Sequence, residues 1–350
     1  MQTRAAKRRA EAAAIPQVES PNKKRVVLRE LSNVSNVTFP AVLNQKCRKK
    51  TLPLDPNTNI KDNEAVHVVS KLDADVKMND PYVSQIYQYL REMEMEANRR
   101  PMPDYLEKVQ EDFGANARGT LISWLAEVTE EYRLLLDTFH LSVSYIDRFL
   151  SAKIVSRQRL QLLGVSSMLI ASKYEELTPP HVERFCYITD NTYNQAEVVE
   201  MEADVLKSLN FEVGNPTVNT FLRRFAEIAS ENQKTHKLEF GFLGDYLGEL
   251  SLLDYNCVKL LPSMVAASAI FLARFILWPK VHPWTSALQR YSRYKSRELK
   301  QYVLILHDLY LARKVGSLQS IRDKYRQHKF KNVATLPSPP EIPETYFKKW

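Results

Sequence analysis

Glycine is scarce in this chain. Eight glycines in 350 residues leave little material for left-handed turns or for loops that wrap phosphates in backbone N–H groups. That scarcity weighs toward helices and against a nucleotide-binding enzyme. The short signatures of such chemistry are missing too: there is no GxGxxG, no GxxxxGK[ST] and no HExxH. Cysteine is rare, with Cys47, Cys186 and Cys257 far apart and without CxxC spacing. An odd, scattered set argues against a disulfide framework or a zinc site and fits a reducing compartment. Cys186 and Cys257 lie in apolar stretches, where a buried thiol is the ordinary role. The seven histidines show no metal-ligand spacing, so no cofactor is expected. Asp137 and His140 read as a helix-cap contact rather than a dyad. No run reaches about 18 uninterrupted apolar residues, which predicts no membrane-spanning helix. The N-terminus lacks the apolar stretch of a secretory signal.

The formal charge of +8 is unevenly placed. Residues 1–50 carry 12 Lys/Arg against 3 Asp/Glu, and residues 313–350 carry 9 against 3. The span 51–312 holds 28 Lys/Arg against 35 Asp/Glu, a net −7. A fold that grips nucleic acid is expected to have a basic body; here the body is acidic and only the ends are basic. No nucleic-acid partner is predicted.

Residues 1–78 mix basic clusters (Lys7-Arg8-Arg9, Lys23-Lys24-Arg25, Arg48-Lys49-Lys50) with Pro, Asn and Ser and hold no sustained period. They read as a disordered tail, and the clusters as a nuclear import address. Order begins at Asp80-Pro81, a cap followed by the proline favoured at a first helical position. Val83, Ile86, Tyr87, Leu90 and Met93 then recur at helical spacing, predicting a helix to about Ala97. Five helices fit between about 116 and 210. The second covers about Thr138 to Ser151, the third starts at a Ser156 cap, a short fourth starts at Pro179-Pro180, and the fifth opens on the capping-box variant Asn194-Gln195-Ala196-Glu197. Gly214-Asn215-Pro216 marks a boundary, and from Thr217 the plan repeats. The small-residue stretch Gly164–Ala171 has a counterpart in Ala266–Ala273, and Ala171 falls on Ala273 at an offset of 102 residues. From about Asn332, four prolines make a non-helical tail. No alternating stretch predicts strands, so the fold class is all-α.

Several helices carry a lone charge on or beside an apolar face, and such a charge must find a partner or cost several kcal/mol. They fall in Ala117-Arg118-Gly119-Thr120-Leu121-Ile122-Ser123-Trp124-Leu125, Tyr145-Ile146-Asp147-Arg148, Leu169-Ile170-Ala171-Ser172-Lys173-Tyr174-Glu175-Glu176 and Met201-Glu202-Ala203-Asp204-Val205-Leu206. With these motifs the chain resembles a cyclin, and most a plant A-type mitotic cyclin, over about residues 80–330. The subtype rests on Leu125-Ala126-Glu127-Val128-Thr129-Glu130-Glu131-Tyr132, Tyr187–Tyr193 and Pro216–Leu222; the LxCxE of D-type cyclins is absent. The resemblance implies two tandem five-helix cyclin boxes, 79–213 with the leading helix and 214–331, between a disordered N-terminal tail (1–78) and a disordered Pro-rich C-terminal tail (332–350).

By that resemblance the chain is a non-catalytic regulatory subunit that binds and activates a cyclin-dependent kinase between S phase and mitosis. Arg118 and Asp147 match a structural ion pair joining the first two helices. Lys173 and Glu202 match charges that reach the kinase's regulatory helix, with Ile170, Tyr174, Glu175, Glu176, Leu206 and Phe211 around them. Leu121, Trp124, Glu127, Leu160 and Gln161 match a docking patch for RxL-type substrates or inhibitors. Ala117, Gly119, Thr120 and Ser123 depart from the family's larger residues there, which predicts weakened or altered docking. Arg25, Leu28 and Asn33 fit the destruction-box form RxxLxxxxN, implying turnover through the anaphase-promoting ubiquitin ligase, and the location implied is the nucleus, with the cytoplasm second. Two rival classes stand beside this reading. One is a tandem-box transcription factor binding promoter DNA, which would carry a zinc ribbon and a basic body. The other is an enzyme, for which no motif speaks.

Overall fold

The computed structural model describes residues 81–230, 236–312 and 319–348, and among them every regular element is helical. The basic clusters, Arg25, Leu28, Asn33, Cys47 and the cap expected at Asp80 lie outside the described residues.

A leading helix α1 (Pro81–Met93) and a short α2 (Tyr105–Lys108) precede a first bundle. That bundle comprises α3 (Ala115–Tyr132), α4 (Leu136–Ala152), α5 (Leu160–Glu175), α6 (Val182–Ile188) and α7 (Gln195–Ser208). The second comprises α8 (Val218–Ser230), α9 (Lys237–Leu253), α10 (Pro262–Leu277), α11 (Ser286–Ser292) and α12 (Ser296–Tyr310), followed by a short α13 (Ser320–Tyr325). The repeat read from small residues holds for whole helices. Both ends of α5 shift by 102 residues onto α10, 160 to 262 and 175 to 277.

These two helices are the bundle centres for the same reason. Nearly every side chain on them is buried, whichever way it points, and small residues let neighbours approach closely. A Cβ on Gly164 would stand 2.8 Å from Leu121 Cδ1 of α3; in the second bundle a Cβ on Gly248 of α9 would stand 2.6 Å from Leu222 Cδ1 of α8. Close helix–helix approach requires glycine at both places.

Local signals set most boundaries. The capping box at Asn194 is present, with Asn194 Oδ1 accepting from Glu197 N at 3.0 Å and Glu197 Oε2 accepting from Asn194 N at 2.9 Å. Ser156 makes no cap; a single 3-10 turn, Arg157–Arg159, leads into α5 instead. The fourth helix begins two residues after the proline pair, with His181 as its extended N-terminal flank. Helix α1 precedes the first bundle in sequence but packs on the second. Tyr87 meets Tyr291 at 4.5 Å with the rings tilted, and Phe221 and Phe225 edge-on or tilted, and buried Glu94 accepts from Ser263 N and Oγ at 3.0 and 2.6 Å.

One expectation needs correction. The Pro-rich C-terminal segment is ordered to residue 348 and packed. Phe347 stacks on Phe271 at 5.2 Å, Tyr346 meets Phe275, and Val333, Ala334 and Ile342 are buried. Proline prevents helix but not packing, and the apolar residues spaced between the prolines supply the contacts.

Candidate functional site

Arg118 and Asp147 form the charged centre of the first bundle. Arg118 donates from Nε to Asp147 Oδ1 and from Nη2 to Oδ2, both at 2.7 Å. Tyr105 donates its hydroxyl to Asp147 Oδ1 at 2.8 Å, and Arg118 Nη1 reaches the Leu252 carbonyl of the second bundle at 2.8 Å. Both side chains are buried. This two-pronged geometry is the strongest form of the pair, and burial supplies its opposing desolvation cost. Its contacts are all within the chain, tying the first bundle to the second.

Lys173 and Glu202 lie on the surface and meet each other. Lys173 Nζ is 2.6 Å from Glu202 Oε1, with side-chain exposures of 52% and 12%. Lys173 is placed by the end of α5 and Glu202 by the middle of α7, two helices packed side by side. The pair forms the rim of a groove of about 540 Å³ lined by Leu169, Leu177, Pro180, Val182 and Val199. Leu177 is fully exposed and Val199 nearly half so. Tyr174 and Phe211 present exposed rings, at 55% and 67%. Phe211 also sits at φ 60° after Asn210 at φ 52°, a left-handed conformation that costs a side-chain-bearing residue roughly 1–2 kcal/mol. The turn closes the end of α7, with Phe211 N donating to the Leu206 carbonyl at 2.9 Å.

The other residues assigned to this face are less exposed. Ile170 is 4% exposed and belongs to the core, because α5 turns that side inward. Leu206 is half-buried against the core. Glu176 caps α4: its Oε1 accepts from Leu135 N at 2.8 Å and from Thr138 Oγ1 at 2.6 Å, supplying the acceptor that the first turn of α4 needs. Glu175 is half-buried, and burial together with nearby Asp137 pushes its carboxyl above the usual range. Asp137 makes no bond to His140 but accepts from Asn219 and Arg223 at 3.0 and 3.1 Å.

The docking-patch residues divide in the same way. Leu121 and Leu160 are core residues, whereas Trp124, Glu127 and Gln161 remain half-exposed. Helix α13 borders this face. Ser320 Oγ donates to the Ser123 carbonyl at 2.9 Å, and Lys329 Nζ reaches Glu130 Oε2 at 2.7 Å. The small Ser123, noted as a departure, leaves room for that approach.

Sequence reasoning missed one exposed stripe. Tyr82, Ile86 and Tyr89 follow one another by four and three residues along α1, and all are more than half exposed. The signal was available: aromatic and aliphatic residues recur on both sides of α1, more than one buried face requires.

Among the described residues no group of three or more His, Cys, Asp or Glu is arranged to hold a metal ion, and no helix is long and apolar enough to cross a membrane. Cys186 and Cys257 are buried thiols.

Comparison with known proteins agrees with this geometry. Residues 85–214 match the model for the cyclin N-terminal domain and residues 216–339 that for the cyclin C-terminal domain. The chain is 55% identical over 347 residues to putative cyclin-A3-1 of Arabidopsis thaliana, covering 99% of this chain and 96% of that protein. It is 51% identical over 341 residues to G2/mitotic-specific cyclin C13-1 of Daucus carota, covering 94% and 97%. Among solved structures, a viral cyclin from herpesvirus saimiri superposes with a TM-score of 0.57 at 22% identity, over 64% of this chain and 96% of that one. That last likeness concerns the fold alone.

Proposed function

The chain belongs to the cyclin family, with plant A-type cyclins as its relatives, and from that premise we propose that it is the regulatory subunit of a cyclin-dependent serine/threonine kinase. It performs no chemistry itself. It docks through the Lys173–Glu202 rim, with Tyr174, Leu177 and Phe211 around it and the Tyr82, Ile86 and Tyr89 stripe of α1 as a further contact. The bound kinase's regulatory helix is held inward, so that its glutamate pairs with the strand lysine that orients the ATP phosphates. An interface on the order of 2,000 Å² is expected for such a signalling assembly.

One observation carries the reading: a charge pair at the lip of an apolar groove, ringed by exposed large hydrophobic side chains that a chain acting alone would bury. Lys173 is half-exposed while Glu202 is mostly covered, so exchanging their bond for contacts to a partner costs little desolvation on the lysine side. Replacing Lys173 and Glu202 together by Ala is expected to weaken kinase binding by about 2 kcal/mol or more and to lower kinase activation in parallel. Co-purification and a phosphorylation assay check both. A double variant that binds and activates normally removes the assignment.

The finer points rest on the sequence. The half-exposed face of Trp124, Glu127 and Gln161 is proposed to dock substrates with altered preference, because Ser123 and Glu130 are already engaged by the C-terminal segment. Arg25, Leu28 and Asn33 are proposed as the recognition element for the anaphase-promoting ubiquitin ligase, and the N-terminal basic clusters as a nuclear address.

A further inference from the structure

The boundary between the two bundles holds a glycine with no backbone reason to be one. Gly214 is not at positive φ, so any residue could adopt its conformation. What it lacks is space. A Cβ built there would stand 2.5 Å from the Tyr174 hydroxyl oxygen, inside the distance at which one of the two must move, and 3.3 Å from its Cζ, a tight contact.

The backbone is the harder of the two to move. Arg99 Nη1 donates to the Gly214 carbonyl at 3.1 Å, and Tyr145 donates its hydroxyl to the Val213 carbonyl at 2.8 Å. Arg148 Nη1 holds the Glu212 carbonyl at 2.9 Å and Asn215 Oδ1 at 3.2 Å, while Asn215 Nδ2 reaches Ser144 Oγ at 2.9 Å. Five hydrogen bonds from α4 and the segment after α1 fix the linker on both sides of the glycine. The Tyr174 ring, exposed to solvent at 55%, has an open direction in which to go.

We infer that Gly214 is a positioning residue: its missing side chain forms the seat of the Tyr174 phenol and thereby fixes an exposed aromatic at the kinase-binding face. The inference rests on the functional reading above and adds to it a residue from the bundle boundary that touches no partner. Held against the linker, the ring loses its rotamer freedom before binding, which lowers the entropic cost of association. Displaced by a methyl group, it swings free and the face loses a preformed contact.

A double-mutant cycle tests this with the full-length chain and a purified plant cyclin-dependent kinase. Binding affinity and the thermal midpoint of the free chain are measured for wild type, Gly214→Ala, Tyr174→Phe and the double variant. Gly214→Ala is expected to bind about tenfold more weakly, with a midpoint within about 2 °C of wild type, since the ring moves and the core does not. Tyr174→Phe keeps the ring and removes the hydroxyl, and its measured affinity is the reference against which the double variant is read. In the double variant the clashing oxygen is gone, and affinity returns to that of Tyr174→Phe. A Gly214→Ala chain that binds like wild type overturns the inference, as does a double variant as weak as the single one, or a loss of affinity matched by a large drop in midpoint. A wild-type chain that binds no such kinase overturns the functional reading and this inference with it; one that binds, with no coupling in the cycle, overturns the inference alone.

Discussion

At the scale of single residues, energetics are decided by whether a buried charge has its partner. Arg118 is held by Asp147, and burial without it would leave a carboxylate facing apolar walls. Replacing Arg118 by Ala is expected to destabilise the fold by about 3–5 kcal/mol, more than cavity formation alone, and chemical denaturation will show it. His140 and Asp245 make stability depend on pH in opposite directions. Burial, with Lys324 nearby, pushes His140 down from 6.5 to about 3, and its Nδ1 has no partner. The unfolded chain therefore takes up a proton as pH falls through 6.5 while the folded chain does not, so stability is lost between pH 6.5 and 3. Asp245 goes the other way. Burial and the neighbouring Glu249 raise its carboxyl from 3.8 to about 7, so the folded chain holds the extra proton between those values and stability declines as pH rises from 4 to 7. Two thermal-melt series separate them. Asp245→Asn is expected to raise the melting midpoint at pH 8 and leave it unchanged near pH 4, whereas His140→Leu is expected to flatten the acid side.

At the scale of elements, what the sequence made legible was whatever depends on neighbours in the chain. The capping box at Asn194 is a local pattern with a local cause, and it stands as read. Asn194→Ala is expected to cost about 1 kcal/mol, seen as faster hydrogen exchange in the first turn of α7 with little change in α3 or α4. The all-helical class, the tandem plan and the small-residue centres α5 and α10 were legible for a like reason, since period and side-chain size are written residue by residue. Illegible were the facts that arise between elements. Nothing near Glu176 in sequence says that it caps α4 across a 41-residue separation, and nothing near Ile170 says which side of a helix apolar all round meets solvent. The packed C-terminal segment was hidden in the same way: prolines told of absent helix, while the partners of Phe347 and Tyr346 lie more than 60 residues away.

At the scale of the whole molecule, two bundles of one design act as one body because charged side chains cross between them. Lys324, on α13, is buried and sits 2.7 Å from Glu249 of the second bundle and 3.4 Å from Glu130 of the first. Tyr325 adds its hydroxyl to the same Glu249 oxygen at 2.7 Å, and Arg118 reaches across to the Leu252 carbonyl. Glu249 Oε2 has no partner, so that carboxylate depends on Lys324 for compensation, and burial already pushes its carboxyl upward. Removing the cation alone is then worse than removing both charges. Lys324→Met is expected to cost about 3–5 kcal/mol, and Lys324→Met with Glu249→Leu to recover most of that, since a well-packed apolar pair replaces a buried ionic one at little net cost. Calorimetry tests the coupling as well as the magnitude. The wild type is expected to melt in one transition, the single variant in two, as the bundles lose their shared anchor, and the double variant in two at higher temperature. One unbroken transition in all three would mean that the bundles are joined by the α1 and linker contacts rather than by α13.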